Sequence, residues 1–385
     1  MKKSYKYKIK PTNTQQKMLS QFFGCCRFIY NWGLGKKIQL WNGERRQVSY
    51  IDLAKEMTSL KKMEEYKWLN DCVNDSLQQS LRCLDNAYTG FFKAKKGFPK
   101  FKSKKFSKDT CKFIQSVKFN FDEWKVNIPK IGWVRLCKNK SFDTEKVKLG
   151  TLTVTKDRCG DYWVTILTDD GLPRPSKAKI DEKTSVGIDL GIKDFVILSD
   201  GTKYGNPKFL EKDLWRLKNL QKIFAKSKKD SNRHERLRLK IARLHRKIRN
   251  KREFFLHNLS SLLISNYNTI CLEDLNIDGM MKNHNLARSI QSASWGEFVR
   301  QLIYKSEWYG KNLIFIGRFE PSTKLCSICG YMNREITLND REWICPVCGT
   351  HHDRDINAAI NIKNFGLHPQ SLVAIESKNP RDDWE

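Results

Sequence analysis

Four cysteines within twenty-three residues, Cys326, Cys329, Cys345 and Cys348, constrain this chain more tightly than any other feature. They are spaced C-x2-C, fifteen residues, C-x2-C, with Gly330 and Gly349 directly after the two pairs. Each C-x2-C turn can aim two thiolates at one ion while the loop between them folds back to complete a tetrahedron, so the spacing predicts a four-cysteine zinc site. A closed four-thiolate shell leaves no open coordination position, so such a zinc holds structure and performs no chemistry. The segment runs on into HHDRDINAAINI, residues 351–362, an acidic helix start followed by an apolar helical face.

Charge narrows the class of partner. The 385 residues carry 72 Lys+Arg against 42 Asp+Glu, a net charge of +30, which points to a polyanion. A membrane is the competing partner, but no apolar run of about eighteen residues occurs, and the start MKKSYKYKIKP lacks the apolar stretch of a signal peptide. Twelve cysteines, including the adjacent Cys25 and Cys26, do not form the spacing of a disulfide framework, so a reducing cytoplasm is the expected location. The length suits about two or three domains.

Residues 4–10 alternate and stop at Pro11, which predicts a strand. From Gln15 to about Leu40 apolar residues recur at helical spacing, and further helix is expected through Leu84 and Tyr88. Residues 93–108, KAKKGFPKFKSKKFSK, hold eight lysines and no acid, with Phe98, Phe101 and Phe106 between them. A solvated linker has that charge, but cations interleaved with aromatics also suit a surface that tracks phosphates and stacks bases. Lys93, Lys95, Lys96, Lys100, Lys102, Lys104 and Lys105 are therefore candidate nucleic-acid contacts. From Thr110 to Thr168 short alternating runs predict an antiparallel β-barrel or meander, and Pro173 and Pro175 mark a linker.

After Lys183 the pattern changes. SVGIDLGI and FVILSD read as two apolar strands that bend at Gly191 and Lys193, and residues 209–264 as two long helices broken by SKKDSN. Arg233 to Arg252 in the second helix carries ten basic residues and one Glu, with Leu237, Leu239, Ile241, Leu244 and Ile248 as its apolar stripe. Near-uniform positive sign favours a phosphate-tracking face, with Arg236, Lys240, Arg243 and Lys247 as candidate contacts. NTICLEDLN then predicts a strand, ASWGEFVRQLIYKSEWYG a helix and NLIFIGRF another strand, before the cysteine loop and the final helix.

Three acids stand out in that order. Asp189 falls mid-strand in VGIDLG, Glu273 likewise in ICLEDL, and Asp355 in the first turn of the last helix, which Ala358, Ala359 and Ile362 would pack against the sheet. A charge within an apolar strand is costly unless it is paired or bound to metal. Three carboxylates converging at one sheet edge can hold two hard divalent cations, Mg2+ being the natural choice, and such a pair can cut a phosphodiester. Asp353 competes with Asp355, since one can be the helix N-cap and the other the ligand. GIDLG alone also matches the phosphate-binding start of actin-like kinases, but small hydroxyl residues do not follow it here.

VGIDLGIKDF, ICLEDLN, CSICG with CPVCG, HDRDINAAINI and, at the N-terminus, KYKIKPTNTQQ and CCRFIYNWGL together resemble TnpB, the insertion-sequence family also called OrfB, a relative of the compact type V CRISPR effector nucleases. The resemblance spans roughly residues 1–365. It implies an α/β fold with added β-barrel and helical lobes: an RNase H-like (RuvC) nuclease domain at 179–206, 265–320 and 350–366, split by a helical hairpin at 207–264 and a zinc-ribbon insertion at 321–349. It also implies a wedge β domain at 1–10 and 98–178 carrying a helical recognition lobe at 11–97, whereas the polar, irregular sequence from Gly366 onward itself predicts a flexible tail at 367–385. The implied activity is Mg2+-dependent, RNA-guided DNA endonuclease, with Asp189, Glu273 and Asp355 as catalytic and magnesium-holding residues and the four cysteines on a structural Zn2+. The implied partners are a guide RNA from the transposon end and double- and single-stranded target DNA, with no membrane. A strand-transferring transposase and a non-cutting RNA-guided repressor are the alternatives.

Overall fold

The computed structural model describes residues 1–368 apart from Lys95, Phe319, Leu338 and Asn339; most of the expected flexible tail thus lies outside the described residues. The chain divides into two compact units, Met1–Pro173 and a second beginning at Arg174, at the linker marked by Pro173 and Pro175. No helix among the described residues is long and apolar enough to cross a membrane.

The first unit runs β1 (Lys2–Lys10), α1 (Asn13–Glu44), α2 (Tyr50–Leu60), a 3-10 turn at Glu64–Asp71, α3 (Asn74–Lys93) and then β2 (Asp109–Phe113), β3 (Lys118–Asn120), β4 (Lys125–Ile128), β5 (Gly132–Leu136), β6 (Lys148–Lys156) and β7 (Tyr162–Asp169). Helix α1 starts at a capping box: the Gln15 amide donates to Thr12 Oγ1 at 3.3 Å, and the Gln15 side chain serves as acceptor for the Thr12 amide at 3.0 Å. Leu19, Phe22, Phe23, Ile29 and Leu34 supply its buried face.

All seven strands pair antiparallel in the order β2-β6-β7-β1-β5-β4-β3. The N-terminal strand therefore lies in the middle of the sheet, in register with β7 from Lys2↔Asp169 to Ile9↔Tyr162. This differs from a simple meander, and no pairing joins the edge strands β2 and β3 among the described residues. Alternating polarity marks a strand without naming its partner, and β1 finds its partner at the far end of the unit.

The second unit continues with β8 (Ser185–Asp189), β9 (Asp194–Leu198), β10 (Lys203–Gly205), α4 (Phe209–Lys226), α5 (Asn232–Asn266), β11 (Thr269–Glu273), α6 (Ile277–Met280), α7 (His284–Ala293), α8 (Trp295–Tyr309), β12 (Asn312–Ile316), β13 (Glu342–Ile344), β14 (His351–Asp353) and α9 (Arg354–Leu367). Its five-stranded sheet has the order β10-β9-β8-β11-β12. Strands β8, β11 and β12 run parallel, and β9 is antiparallel to both its neighbours.

Both faces of this sheet are covered, as a largely parallel sheet requires. Val186, Ile188, Phe195, Leu198, Ile270 and Leu272 form one core with Leu256, Leu259 and Leu263 of α5 and Phe298 and Leu302 of α8. On the other face Cys271 and Ile316 meet Ile362 of α9. Helix α5 thus has two environments: its N-terminal half packs on α4 through Leu217, Leu244 and Ile248, and its C-terminal half belongs to the sheet's core.

Candidate functional site

The ladder between β8 and β11 ends at the pair Ile188↔Leu272. Asp189 and Glu273 are the next residues on each strand, so the two carboxylates stand at the carboxyl ends of neighbouring parallel strands. Their position is a strand terminus, whereas the apolar flanks had suggested mid-strand: each apolar run stops at its acid, and the chain turns away through Leu190–Lys193 and Asp274–Asn276. Open α/β sheets place ligand crevices at such ends.

The third acid comes from the helix. Asp353 Oδ1 accepts the amides of Asp355 and Ile356, both at 3.1 Å, so Asp353 is the N-cap of α9 and also pairs with Lys203 at 2.6 Å. That assignment leaves Asp355 as the acid of the pair that faces the strand ends. Burial, and then the negative charges of Glu273 and Asp355, push the Asp189 carboxyl up to about 7, while Arg354 pulls it the other way. Asp189 is therefore within electrostatic reach of both other acids. A divalent cation held at Asp189 would offset both the charges of Glu273 and Asp355 and the cost of burying its own.

Side chains not singled out by the sequence reading hold the acids in place. Asp355 Oδ1 pairs with the Arg354 guanidinium and Oδ2 with Arg341, each at 3.1 Å. Glu273 Oε1 accepts from Ser322 Oγ at 2.5 Å. Asn357 and Asn361 of α9, nearly fully buried, donate to the Leu325 carbonyl at 2.7 Å each. Two asparagines at i and i+4 within the apolar face of INAAINI were the sequence signal for this contact, because a buried amide needs a partner.

The four cysteines come together as their spacing predicts. Their Sγ atoms all lie within 4.8 Å of one another, the only such cluster of three or more metal-binding side chains among the described residues. Cys326–Cys348 and Cys329–Cys345 are 3.7 and 3.5 Å apart. A tetrahedron with Zn–S bonds of about 2.3 Å has edges of roughly 3.8 Å, so the donor set fits zinc. Gly330 and Gly349, at φ +75° and +69°, close the two knuckles by donating their amides to Cys326 and Cys345. His352, its ring tilted 33° to that of Trp343 at 4.7 Å, brings Nε2 to 3.1 Å from Cys326 Sγ.

The basic candidates divide. Arg236, Lys240, Arg243 and Lys247 fall at helical spacing along α5, all exposed and without an ion pair among the described residues. Lys93, Lys96, Lys100, Lys104 and Lys105 are likewise exposed, as are Phe98, Phe101 and Phe106, and Lys95 lies outside the described residues. Lys102 differs. Its Nζ sits 3.7 Å from the centroid of the Tyr30 ring, and its backbone is clasped by the Asn31 side chain at 2.7 and 2.8 Å. Burial pulls its ammonium below the ordinary lysine range, so Lys102 anchors the run to α1 instead of facing solvent.

The chain matches the family described as "Probable transposase" over residues 166–284, a "Cas12f1-like, TNB domain" over 295–362 and a "Helix-turn-helix domain" over 1–46. Over the last stretch the structure has β1 and one unbroken helix of 32 residues rather than two helices. A protein of Streptomyces pristinaespiralis, provisionally named an RNA-guided DNA endonuclease, is 38% identical over 374 residues, covering 95% of this chain and 90% of that protein. InsQ of Escherichia coli (strain K12), provisionally named in the same way, is 30% identical over 378 residues, covering 94% and 92%. Among solved structures, a chain of the Cas12f1–sgRNA–target DNA complex aligns at TM-score 0.57 and 13% identity, covering 94% of this chain and 99% of that one. At that identity the likeness is one of fold, mixed sheets and helices. From the two close relatives and the family match, this chain belongs to the TnpB family of OrfB-type proteins.

Proposed function

We propose that this protein is an RNA-guided DNA endonuclease encoded by a transposable element, cutting target phosphodiesters at Asp189, Glu273 and Asp355. The observation that carries the reading is the buried Asp189 carboxyl at the end of β8, which burial first and then the charges of Glu273 and Asp355 push up to about 7. A protein that only bound nucleic acid would have no use for three carboxylates gathered in the midst of a net charge of +30. The names borne by the close relatives support the same activity.

Magnesium, when bound by the three acids, supplies Lewis-acid stabilisation of the phosphoryl and leaving oxygens and activates the attacking water. The chain's own part is positional. Strands β8 and β11 hold Asp189 and Glu273 side by side, the capped first turn of α9 presents Asp355, and Arg354 and Arg341 balance part of the negative charge. Zinc on Cys326, Cys329, Cys345 and Cys348 would be structural.

The finer division follows the sequence reading. The mixed five-stranded sheet with helices on both faces supports an RNase H-like nuclease unit, the pair α4–α5 a hairpin within it, and residues 321–349 a zinc-binding insertion. The first unit would be the wedge domain with its recognition lobe α1–α3. A guide RNA from the transposon end and the DNA it pairs with are the partners, held through their backbones by basic surface while base pairing reads sequence.

The test is Asp189→Ala in complex purified from its host, with the bound RNA sequenced and used to design target DNA. Loss of cutting with retained binding is expected; full residual cutting refutes the proposal. The match to "Probable transposase" favours one other reading, strand transfer. Product ends joined to new DNA, instead of left free, would establish it.

A further inference from the structure

We propose that Ser322 is a positioning residue for Glu273, and that through it the cysteine loop orders two of the three carboxylates. The inference rests on reading Asp189, Glu273 and Asp355 as the metal-holding site. Ser322 lies in PSTKLC, the stretch leading into Cys326, and is 4% exposed. Its hydroxyl donates to Glu273 Oε1 at 2.5 Å, the length of a charge-assisted O–H···O bond. Its carbonyl accepts from Asn361 Nδ2 at 2.8 Å, and the same amide reaches the Leu325 carbonyl at 2.7 Å. Asn357 adds a second grip, donating to Leu325 and accepting the Ser327 amide at 2.9 Å. The segment 322–327 is thus bound on one side to α9, which carries Asp355, and on the other to the carboxylate of β11.

The chemistry gives that contact a purpose. A glutamate side chain has three rotatable bonds, and an unanchored one must be frozen when a cation binds. One hydroxyl donor fixes the carboxylate and uses a single lone pair of Oε1, leaving Oε2 and the remaining lone pair for a metal. Ser322 comes from a different part of the chain than Glu273, so the orientation of Glu273 depends on the loop being folded. Outer partners of metal ligands commonly act in this way.

The experiment uses full-length protein with Ala, Thr and Val at position 322, titrated calorimetrically with Mn2+ alone, and the RNA-bound complex assayed for cutting across Mg2+ concentrations. Ser322→Ala and Ser322→Val should bind Mn2+ about 10- to 100-fold more weakly, with cutting recovered at high Mg2+. Ser322→Thr, which keeps the hydroxyl and matches Val in shape, should stay close to wild type, and zinc content should be unchanged in all. Equal Mn2+ affinity in the Thr and Val variants overturns the proposal, even if the Ala variant fails to fold. Glu273→Gln separates the two levels. If it binds Mn2+ and cuts like wild type, the reading of the site fails; if it is impaired while Ser322→Val is not, only the role of Ser322 falls.

Discussion

Gly187 on β8 and Ala359 on α9 approach so closely that a methyl group added at Gly187 would lie 2.0 Å from the Ala359 carbonyl oxygen. The Lys363 amide would be 2.6 Å away, so both obstacles are backbone and neither can rotate aside. Gly187→Ala should therefore lift α9 from the sheet, costing about 2–4 kcal/mol of stability. Denaturant unfolding measures the loss, and DNA cutting should fall with it because Asp355 moves with the helix. A variant with the wild-type unfolding midpoint would contradict this packing.

Asp189 should trade stability for chemistry. A folded-state pKa raised from 3.8 to about 7 means the native protein holds that proton more tightly than the unfolded chain. Its stabilising effect is full below about pH 4 and is lost as pH rises through 7. In chelator, Asp189→Asn should then melt higher than wild type at pH 8, with the gap closing by pH 5. Each pKa unit is about 1.4 kcal/mol, so the gain is about 1–4 kcal/mol. A gap that does not change with pH would sink the assignment.

Cys345 is fully buried among the four thiols, and Cys345→Ser should lose zinc. Because segment 322–327 grips both α9 and Glu273, cutting should fall at least about tenfold even with Mg2+ in excess. Metal analysis alongside a cleavage assay checks it. Wild-type cutting by the zinc-free variant would show that the loop is dispensable.

Charge reversal at Arg236, Lys240 and Arg243 should weaken nucleic-acid binding and flatten its salt dependence by about 0.7–0.9 in slope for each phosphate that the variant no longer neutralises. Lys102→Gln should do the opposite: binding and its salt dependence are retained, since Lys102 lies on the Tyr30 ring, and the melting temperature should not fall, since burial already disfavours the charge. A salt titration and a melting curve on each variant distinguish the two roles.

What could be read from sequence was governed by distance along the chain. The cysteine knuckles were legible because each is a local turn, ligand and glycine included. The acids were legible in kind, since a carboxylate after an apolar run is conspicuous, yet their place at strand ends depended on where the ladder between β8 and β11 stops. Ser322 escaped notice because its partner lies 49 residues earlier. Lys102 looked like its neighbours because charge is visible in sequence, whereas Tyr30 beneath it is brought there only by folding. The central place of β1 was hidden for the same reason.

Helix α5 is a single rod of 35 residues, about 52 Å long at 1.5 Å per residue. One arm, with Arg236 to Lys247 on its exposed side, packs on α4, and the other is clamped under the sheet by Leu256, Leu259 and Leu263, a short step in sequence from the strand that ends at Glu273. A continuous helix resists bending, so a load applied to the basic arm is felt at the clamped one. The protein has in α5 a stiff link between its basic arm and the core of β8 and β11, the strands that end at Asp189 and Glu273.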